Sequence, residues 1–167
     1  MKIFRNGLFI YVSAIFMLCQ ILSCKSNPND SWEENSLFKY NIPLYIRLPD
    51  SVEFKYLDFG ISKDLSVLGP GNFHLQILAS DALNSNLKKT IADNKINIRS
   101  HPYFSKFIEE YDDGFIFEKK IDTAYTTYDF RHFKIAGNTE IVFQMGLLGQ
   151  FSEDEARRMY KLCTEAK

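Results

Sequence analysis

The stretch Ala124–Met145, AYTTYDFRHFKIAGNTEIVFQM, decides the fold of this chain. It holds two runs rich in aromatic and β-branched residues, separated by Ala136-Gly137-Asn138-Thr139. Such runs favour β-strands, and a Gly-Asn pair between them favours a tight turn. The sequence therefore predicts a long strand over Ala124–Ile135, a hairpin turn and a return strand over Glu140–Met145.

The apolar residues change sides within the long strand. Tyr128 and Phe130 share one parity, whereas Phe133 and Ile135 share the other. Since side chains alternate between the two faces of a sheet, this change predicts a β-bulge across Arg131-His132 or a strand covered on both faces.

The same strand carries the most mixed polar cluster of the sequence, Asp129, Arg131 and His132. Together with Tyr125 and Tyr128, these residues form the candidate contact site for an anionic or aromatic group of a ligand or partner. A β-bulge would re-aim such side chains and so could build a site. The simpler interpretation, which we favour, is a polar strand face.

Alternating apolar residues predict further strands upstream. Leu44–Leu48 and Val52–Tyr56 are expected to pair as a hairpin across Pro49-Asp50. Asp64–Asn72 contains Gly69-Pro70-Gly71 and is expected to be a loop. Phe73–Ala79 forms the next predicted strand, and Phe115–Phe117 begins another.

Helical spacing appears in three places. Leu83, Leu87 and Ile91 lie four residues apart, with Ser80 or Asp81 as the expected N-cap. A short helix is expected over Pro102–Tyr111, ended by Asp112-Asp113-Gly114. The last helix begins with a capping box of Ser152 and Glu155. Its expected buried stripe consists of Ala156, Met159, Tyr160 and Cys163.

This order of elements predicts an α+β fold, a largely antiparallel sheet of about six strands with two or three packing helices. Over Leu44–Lys167 the order resembles the PsbP-like fold of the photosystem extrinsic subunit and of small bacterial lipoproteins. Gly114-Phe115-Ile116-Phe117-Glu118 and Tyr128-Asp129-Phe130-Arg131 add to the resemblance. Members of that fold mostly bind or scaffold other proteins, so the resemblance implies a binding role by analogy.

The beginning of the chain resembles the leader of a bacterial lipoprotein. Lys2 and Arg5 precede an apolar run, Leu8–Leu22, that is shorter than the roughly 20 residues of a membrane-spanning helix. Ile21-Leu22-Ser23-Cys24 has the form of a lipobox. We therefore predict a signal peptide over residues 1–23 and lipidation at Cys24, the alternative being an uncleaved signal anchor.

Residues 24–36 are polar and predict a flexible tether, which leaves residues 37–167 as one α+β domain. Loss of Lys2 and Arg5 with the leader lowers the formal net charge from −1 to −3. A nucleic-acid partner, which calls for a basic face, is therefore not expected. Cys163 is the one thiol left after cleavage and lipidation, so no intramolecular disulfide is expected.

The sequence offers little catalytic chemistry. His74, His101 and His132 lack the spacing of metal ligands, and no nucleophile elbow, phosphate loop or dinucleotide-binding glycine pattern occurs. Cys163 falls on an apolar stripe, and the acidic run Glu109–Asp113 is interpreted as a solvated face rather than a calcium site. Trp32, Phe38 and Tyr40 are interpreted as packing residues rather than a partner patch. We expect no cofactor, no metal and no enzymatic activity.

These observations predict a lipid-anchored protein of the bacterial envelope that acts as a non-enzymatic binding or assembly factor for another envelope protein. Lys25, rather than Asp, follows the lipobox cysteine and favours the outer membrane, facing the periplasm. Two alternatives stay open. One is an immunity lipoprotein that neutralises a toxin delivered by neighbouring cells. The other is a small-ligand-binding or hydrolytic domain built around Asp129–His132.

Overall fold

The computed structural model describes residues 32–83, 86–122, 125–147 and 149–167. The predicted signal peptide, Cys24 and the first part of the predicted tether lie outside the described residues. Ser31–Lys167 forms one compact unit. Its first strand, β1, spans Glu33–Ser36, so these four residues belong to the folded domain rather than to the tether.

A seven-stranded antiparallel sheet is the centre of the fold, with strand order β3-β4-β5-β9-β8-β7-β6. Its strands are β3 (Glu53–Asp58), β4 (Ser62–Gly69), β5 (Phe73–Asp81), β6 (Phe104–Tyr111), β7 (Gly114–Lys120), β8 (Thr126–Ala136) and β9 (Thr139–Met145). We call the end with the β3–β4 and β8–β9 turns the upper end, and the end with the β4–β5 turn the lower end. Gly137 and Asn138 form the predicted hairpin turn between β8 and β9.

A second, two-stranded sheet packs on the main core. It pairs β1 with β2 (Tyr45–Leu48), linked through a short 3-10 turn at Phe38–Tyr40. The predicted hairpin of β2 with β3 is therefore wrong, since β3 pairs with β4 instead. The chain end completes β2 from its other side, where Lys167 and Tyr45 exchange backbone hydrogen bonds of 2.7 and 2.9 Å.

Two α-helices cover opposite faces of the sheet. Helix α2 (Glu153–Thr164) and the small sheet cover one face and bury the main core, which includes Leu65, Ile77 and Phe143. Helix α1 (Leu87–Arg99) covers the other face at its β6–β8 side. A smaller core lies there, formed by Ile91, Phe115, Phe117 and Phe133.

The capping box of α2 is confirmed. The Ser152 hydroxyl accepts from Glu155 N at 3.2 Å, and Ser152 N donates to the Glu155 carboxylate at 2.7 Å. These bonds satisfy amides that the first helical turn leaves unpaired. The whole predicted stripe of Ala156, Met159, Tyr160 and Cys163 is buried.

The predicted helix over Pro102–Tyr111 is wrong, because Phe104–Tyr111 is the edge strand β6. Two register shifts in the β6–β7 pairing break the strict alternation of its apolar residues. Phe104 and Phe107 consequently pack in the smaller core, whereas Ile108 packs against the main core. The resulting spacing resembles a helical stripe.

Two further boundaries differ from the sequence-based expectation. Ser62–Gly69 is strand β4, which lies inside the sheet between β3 and β5, so the predicted loop over Asp64–Asn72 is wrong for most of its length. Asn86, not Ser80 or Asp81, caps α1, since its side chain accepts from Lys89 N at 3.1 Å and β5 continues through Asp81. Leu83 accordingly lies before the helix.

Strand β8 is covered on both faces. Its pairing with β7 and β9 runs without a register shift, so the predicted bulge across Arg131-His132 does not occur. The alternative is confirmed, because Phe130 packs in the main core and Phe133 in the smaller one. Because a helix covers each face of the sheet here, β8 has apolar side chains on both faces. This explains why its apolar residues change from one side of the strand to the other.

The α+β class and the antiparallel sheet are confirmed, with seven strands in the main sheet rather than about six. The described residues contain two α-helices, and the PsbP-like pattern is not matched in detail. Neither of these helices has the length and apolar character needed to cross a membrane.

Candidate functional site

Strand β8 places the residues of the predicted contact site on different faces of the sheet. The side chains of Tyr128 and His132 lie on the face covered by α2, whereas those of Asp129 and Arg131 lie on the face covered by α1. Tyr125 precedes the strand and is exposed at the lower end. The five residues therefore do not form one site.

Asp129 has a structural role. Its buried carboxylate accepts hydrogen bonds from Lys119 Nζ at 3.0 Å and Arg131 Nη1 at 2.9 Å. It also accepts from the backbone amides of Phe130 at 2.8 Å and Met145 at 3.1 Å. β8 and β9 pair only from His132↔Phe143 to the turn, so Met145 has no pairing residue on β8. The Asp129 carboxylate accepts the hydrogen bond from the Met145 amide instead. A carboxylate with four donors is held in place and paired.

His132 lies in an aromatic cage on the opposite face. Its ring centroid is 5.3 Å from that of Phe143 and 5.5 Å from that of Tyr160, and the side chain is almost fully buried. Nδ1 lies 3.6 Å from Asp113 Oδ2 and has no hydrogen-bond partner among the described residues. Burial lowers the pKa of His132, a nearby Asp113 carboxylate opposes this shift, and Lys134 lowers the pKa further.

We expect the stability of the domain to fall below about pH 6.5, the ordinary pKa of an unfolded histidine. His132 binds a proton more readily in the unfolded chain than in the folded one, so acid favours unfolding. Its contribution is fully present above the unfolded pKa and is lost as the pH falls toward the folded pKa, by up to about 1.4 kcal/mol per pH unit.

Urea denaturation of the wild type and of His132→Phe at a series of pH values checks this expectation. The aromatic substitute keeps the ring contacts with Phe143 and Tyr160 but cannot titrate. The variant should lose the part of the pH dependence that belongs to His132. Identical pH profiles for the two proteins would contradict a buried neutral imidazole.

A polar cluster around Tyr160 joins the β6–β7 turn to α2. The Tyr160 hydroxyl donates to Asp113 Oδ1, and the Tyr160 ring stacks on Tyr111 with centroids 4.5 Å apart. Tyr111 and Arg157 both donate to the Glu109 carboxylate. The acidic run is partly exposed to solvent, as expected, but several of its carboxylates also have partners within the domain. Its members alternate as in a strand, and Glu110 points to the other side, where Lys95 Nζ donates to it at 2.7 Å.

The geometry of this cluster favours docking of α2 rather than acid–base chemistry. Burial and the hydrogen bond to Glu109 raise the pKa of Tyr111 to about 12. Burial and the bond to Asp113 raise the pKa of Tyr160 as well. Both hydroxyls thus stay protonated near neutral pH and act as donors to internal carboxylates. A shallow groove of about 420 Å³ lies beside them, lined by Tyr111, Asp113, Arg157, Tyr160, Lys161 and Thr164.

Other candidates for chemistry are buried or unclustered. Cys163 is fully buried, and burial raises the pKa of its thiol well above the ordinary value, so the reactive thiolate is disfavoured. Within the described residues no group of three or more His, Cys, Asp or Glu side chains could hold a metal ion. Trp32 and Tyr40 pack as expected, on Phe73 and on Phe54 with ring centroids 5.7 and 5.6 Å apart, whereas Phe38 stays half exposed.

Two apolar surfaces stand at the ends of the sheet. The upper apolar surface consists of Leu57, Phe59, Ile61 and Leu83, with exposed fractions of 57, 63, 86 and 95%. Phe59 and Ile61 belong to the β3–β4 turn, and Leu83 follows β5 at the same end. Hydrophobic turn residues are unusual, since such turns are normally polar. The sequence did not predict this surface, because the loop expected over Asp64–Asn72 left β4, and with it the turn between β3 and β4, unrecognised.

The lower apolar surface consists of Tyr103, Ile121, Tyr125 and Leu147, all exposed. Three of them lie on segments joined by backbone hydrogen bonds. Lys120 N donates to Tyr103 O at 2.8 Å, and Ile121 N donates to Tyr125 O at 2.9 Å. Leu147 follows β9 at the same end of the sheet. Tyr125 is thus the one residue of the predicted contact site that lies on an exposed surface.

Clustered exposed apolar side chains are typical of interaction surfaces. The two apolar surfaces are therefore stronger candidates for function than the polar residues of β8. No family model, curated protein or solved structure matches this chain.

Proposed function

We propose that this chain is a lipid-anchored protein of the bacterial envelope that binds another envelope protein without catalysing a reaction. Its upper apolar surface is the docking surface. Exposure of Phe59, Ile61 and Leu83 at the same end of the sheet is the single observation that carries this proposal.

Exposure of these apolar side chains to water is unfavourable. Burying a large apolar side chain stabilises a complex by about 1.5–3 kcal/mol relative to leaving it exposed. Phe59 and Ile61 extend from a turn that is fixed by the hydrogen bond from Gly60 N to Asp58 Oδ1, at 2.8 Å. A fixed turn loses little conformational entropy when a partner binds. The surface is therefore suited to protein association.

The arrangement of the polar groups supports a binding role over an enzymatic one. Asp129 is occupied by four donors, and the Tyr111 and Tyr160 hydroxyls are committed to internal carboxylates. His132 lies behind the Tyr160 ring rather than in an open cleft. Side chains suited to acid, base or nucleophilic work are used to assemble the fold.

The lipid anchor and the envelope location rest on the leader sequence. A basic start, an apolar run and Ser23-Cys24 occur in the order that lipoprotein processing requires. Lys25 favours the outer membrane, with the domain facing the periplasm. A PsbP-like relationship also remains a proposal, supported by the order from β3 through α1 to the closing hairpin and α2. It points to protein binding by fold analogy.

Photocrosslinking in intact cells tests the docking surface. A photoreactive amino acid replaces Phe59 or Ile61, and in a control it replaces Ile96, which is 62% exposed on α1 and so matches Phe59 closely. We expect one discrete crosslinked species from both upper positions and none from Ile96. Absence of a crosslink at all three positions of a folded, membrane-bound protein would contradict the proposal.

The identity of the captured protein separates the two binding roles. An envelope protein captured under ordinary growth supports an assembly role. A partner that appears only when toxin-delivering neighbours are present would replace this role with immunity, while leaving the docking surface in place.

A further inference from the structure

The described chain enters the domain at the lower end of the sheet. Trp32 packs edge-on against Phe73 with ring centroids 5.7 Å apart, and β1 begins one residue later. Phe73 is the first residue of β5 and pairs with Gly69 at the β4–β5 turn. Any anchor that precedes Trp32 in the chain is therefore attached to the lower end.

The connection between the predicted anchor and this end is short. Eight peptide units separate Cys24 from Trp32 in the sequence. Even when fully extended they span at most about 28 Å. The lower end of the sheet therefore stays within about 28 Å of any bilayer into which Cys24 is anchored.

The composition of the lower apolar surface suits a lipid headgroup layer. Its two tyrosines combine an apolar ring with a polar hydroxyl, and tyrosines are enriched where membranes meet water. Leu147 is 77% exposed and offers an apolar contact. This mixed composition differs from that of the upper apolar surface, which contains only aliphatic and phenylalanine side chains.

One exposed lysine next to this surface carries the charge that suits lipid phosphates. Lys120 directly precedes Ile121, and its side chain is 62% exposed with its ammonium 3.9 Å from Glu118. Lys119 does not contribute here, because its ammonium donates to the buried Asp129 carboxylate at 3.0 Å. Glu118 is buried, but its carboxylate is too far from the Lys120 ammonium for a hydrogen bond and the lysine side chain is exposed to solvent, so the ammonium can also reach phosphate groups. Long lysine side chains reach such groups while their methylenes stay on apolar surface.

We infer that the lower apolar surface lies on the membrane, in contact with lipid headgroups, and that the upper apolar surface points away from it. This inference rests on the proposed lipid anchor. Strand β4 links the two ends, and its eight residues span about 25 Å. The docking surface is thereby held clear of the bilayer and faces the periplasm.

Fluorescence quenching in proteoliposomes tests this orientation. The lipidated protein is reconstituted into vesicles of phosphatidylethanolamine and phosphatidylglycerol, brominated near the headgroup end of the acyl chains. The chain has a single tryptophan, so Trp32→Phe gives a dark background. The reporter Leu147→Trp is placed at the lower end, and the matched control Phe59→Trp at the upper end.

We expect bromination to reduce the emission of the Leu147→Trp protein about twofold or more, and to leave that of Phe59→Trp unchanged. Ile121→Trp serves as a second lower reporter if the first variant does not fold. Co-flotation with the vesicles without quenching at the lower end, or stronger quenching at Phe59→Trp, would overturn the orientation but not the anchor. A response that follows the protein-to-lipid ratio instead of bromination would indicate a second copy on this surface and also overturn it. Failure to co-float would overturn both the anchor and the orientation.

Discussion

Gly114→Ala is expected to destabilise the domain by about 2–4 kcal/mol, because the new methyl group has no room. A Cβ atom at Gly114 would lie 2.0 Å from Arg131 O and 3.0 Å from His132 Cα. Both contacts are with the backbone of β8, which pairs with β7 on one side and β9 on the other. Neither β7 nor β8 can move without breaking backbone hydrogen bonds of the sheet. Because the clash is with backbone atoms, rotation of a side chain cannot relieve it.

Urea denaturation of purified protein measures this loss. Gly137→Ala is the matched control, because a Cβ there meets nothing within 4 Å and only the positive φ of 61° is unfavourable. A left-handed backbone costs an alanine about 1–2 kcal/mol. Equal effects of the two substitutions, or an unchanged midpoint for Gly114→Ala, would show that β7 and β8 are not as close as described.

Cys24→Ala is expected to abolish membrane attachment. Without the thiol no diacylglycerol can be added, and each buried methylene of a lipid chain contributes about 0.8 kcal/mol of membrane affinity. The variant should accumulate as unprocessed precursor and should no longer label with radioactive palmitate. Labelling followed by detergent phase partition compares it with the wild type.

Cys19→Ala is the control for that experiment. Cys19 also lies in the leader, but bulky Leu18 precedes it where the lipobox has a small residue. This variant should be processed and labelled like the wild type. A Cys24→Ala protein that still matures and enters the detergent phase would contradict the lipobox.

The elements that sequence analysis predicts correctly are those fixed by neighbours along the chain. Gly137 adopts a positive φ in the two-residue turn between β8 and β9, and the flanking strands follow directly. The capping box of Ser152 and Glu155 closes within three residues. Local hydrogen bonds of this kind leave a clear trace in the sequence.

Elements that depend on distant partners are harder to predict. β6 has its apolar residues on both faces and two register shifts, so Phe104, Phe107, Ile108 and Tyr111 coincide with a helical stripe. The sequence between Pro102 and Gly114 contains nothing that decides between the two structures. The edge position of the strand and its pairing with β7 decide it, and both are properties of the sheet.

The candidate sites depend on distance in the same way. Tyr160 and Asp113 form a hydrogen bond although they are 47 residues apart. Glu109, Tyr111 and Asp113 occupy alternate positions, and only a predicted strand at this place would have put these three side chains on one face. Conversely, Asp129, Arg131 and His132 are adjacent in sequence but are divided between the faces of β8. Proximity along the chain therefore predicted a cluster that the covered strand does not form.

The mass of the intact protein from native membranes tests the central claim most directly. A lipid-anchored envelope protein should yield a chain that begins at Cys24 and carries a diacylglycerol and an amide-linked acyl chain on that residue. A chain that retains Met1–Ser23, or one that begins elsewhere without lipid, would contradict the anchor and with it the proposed role at the membrane.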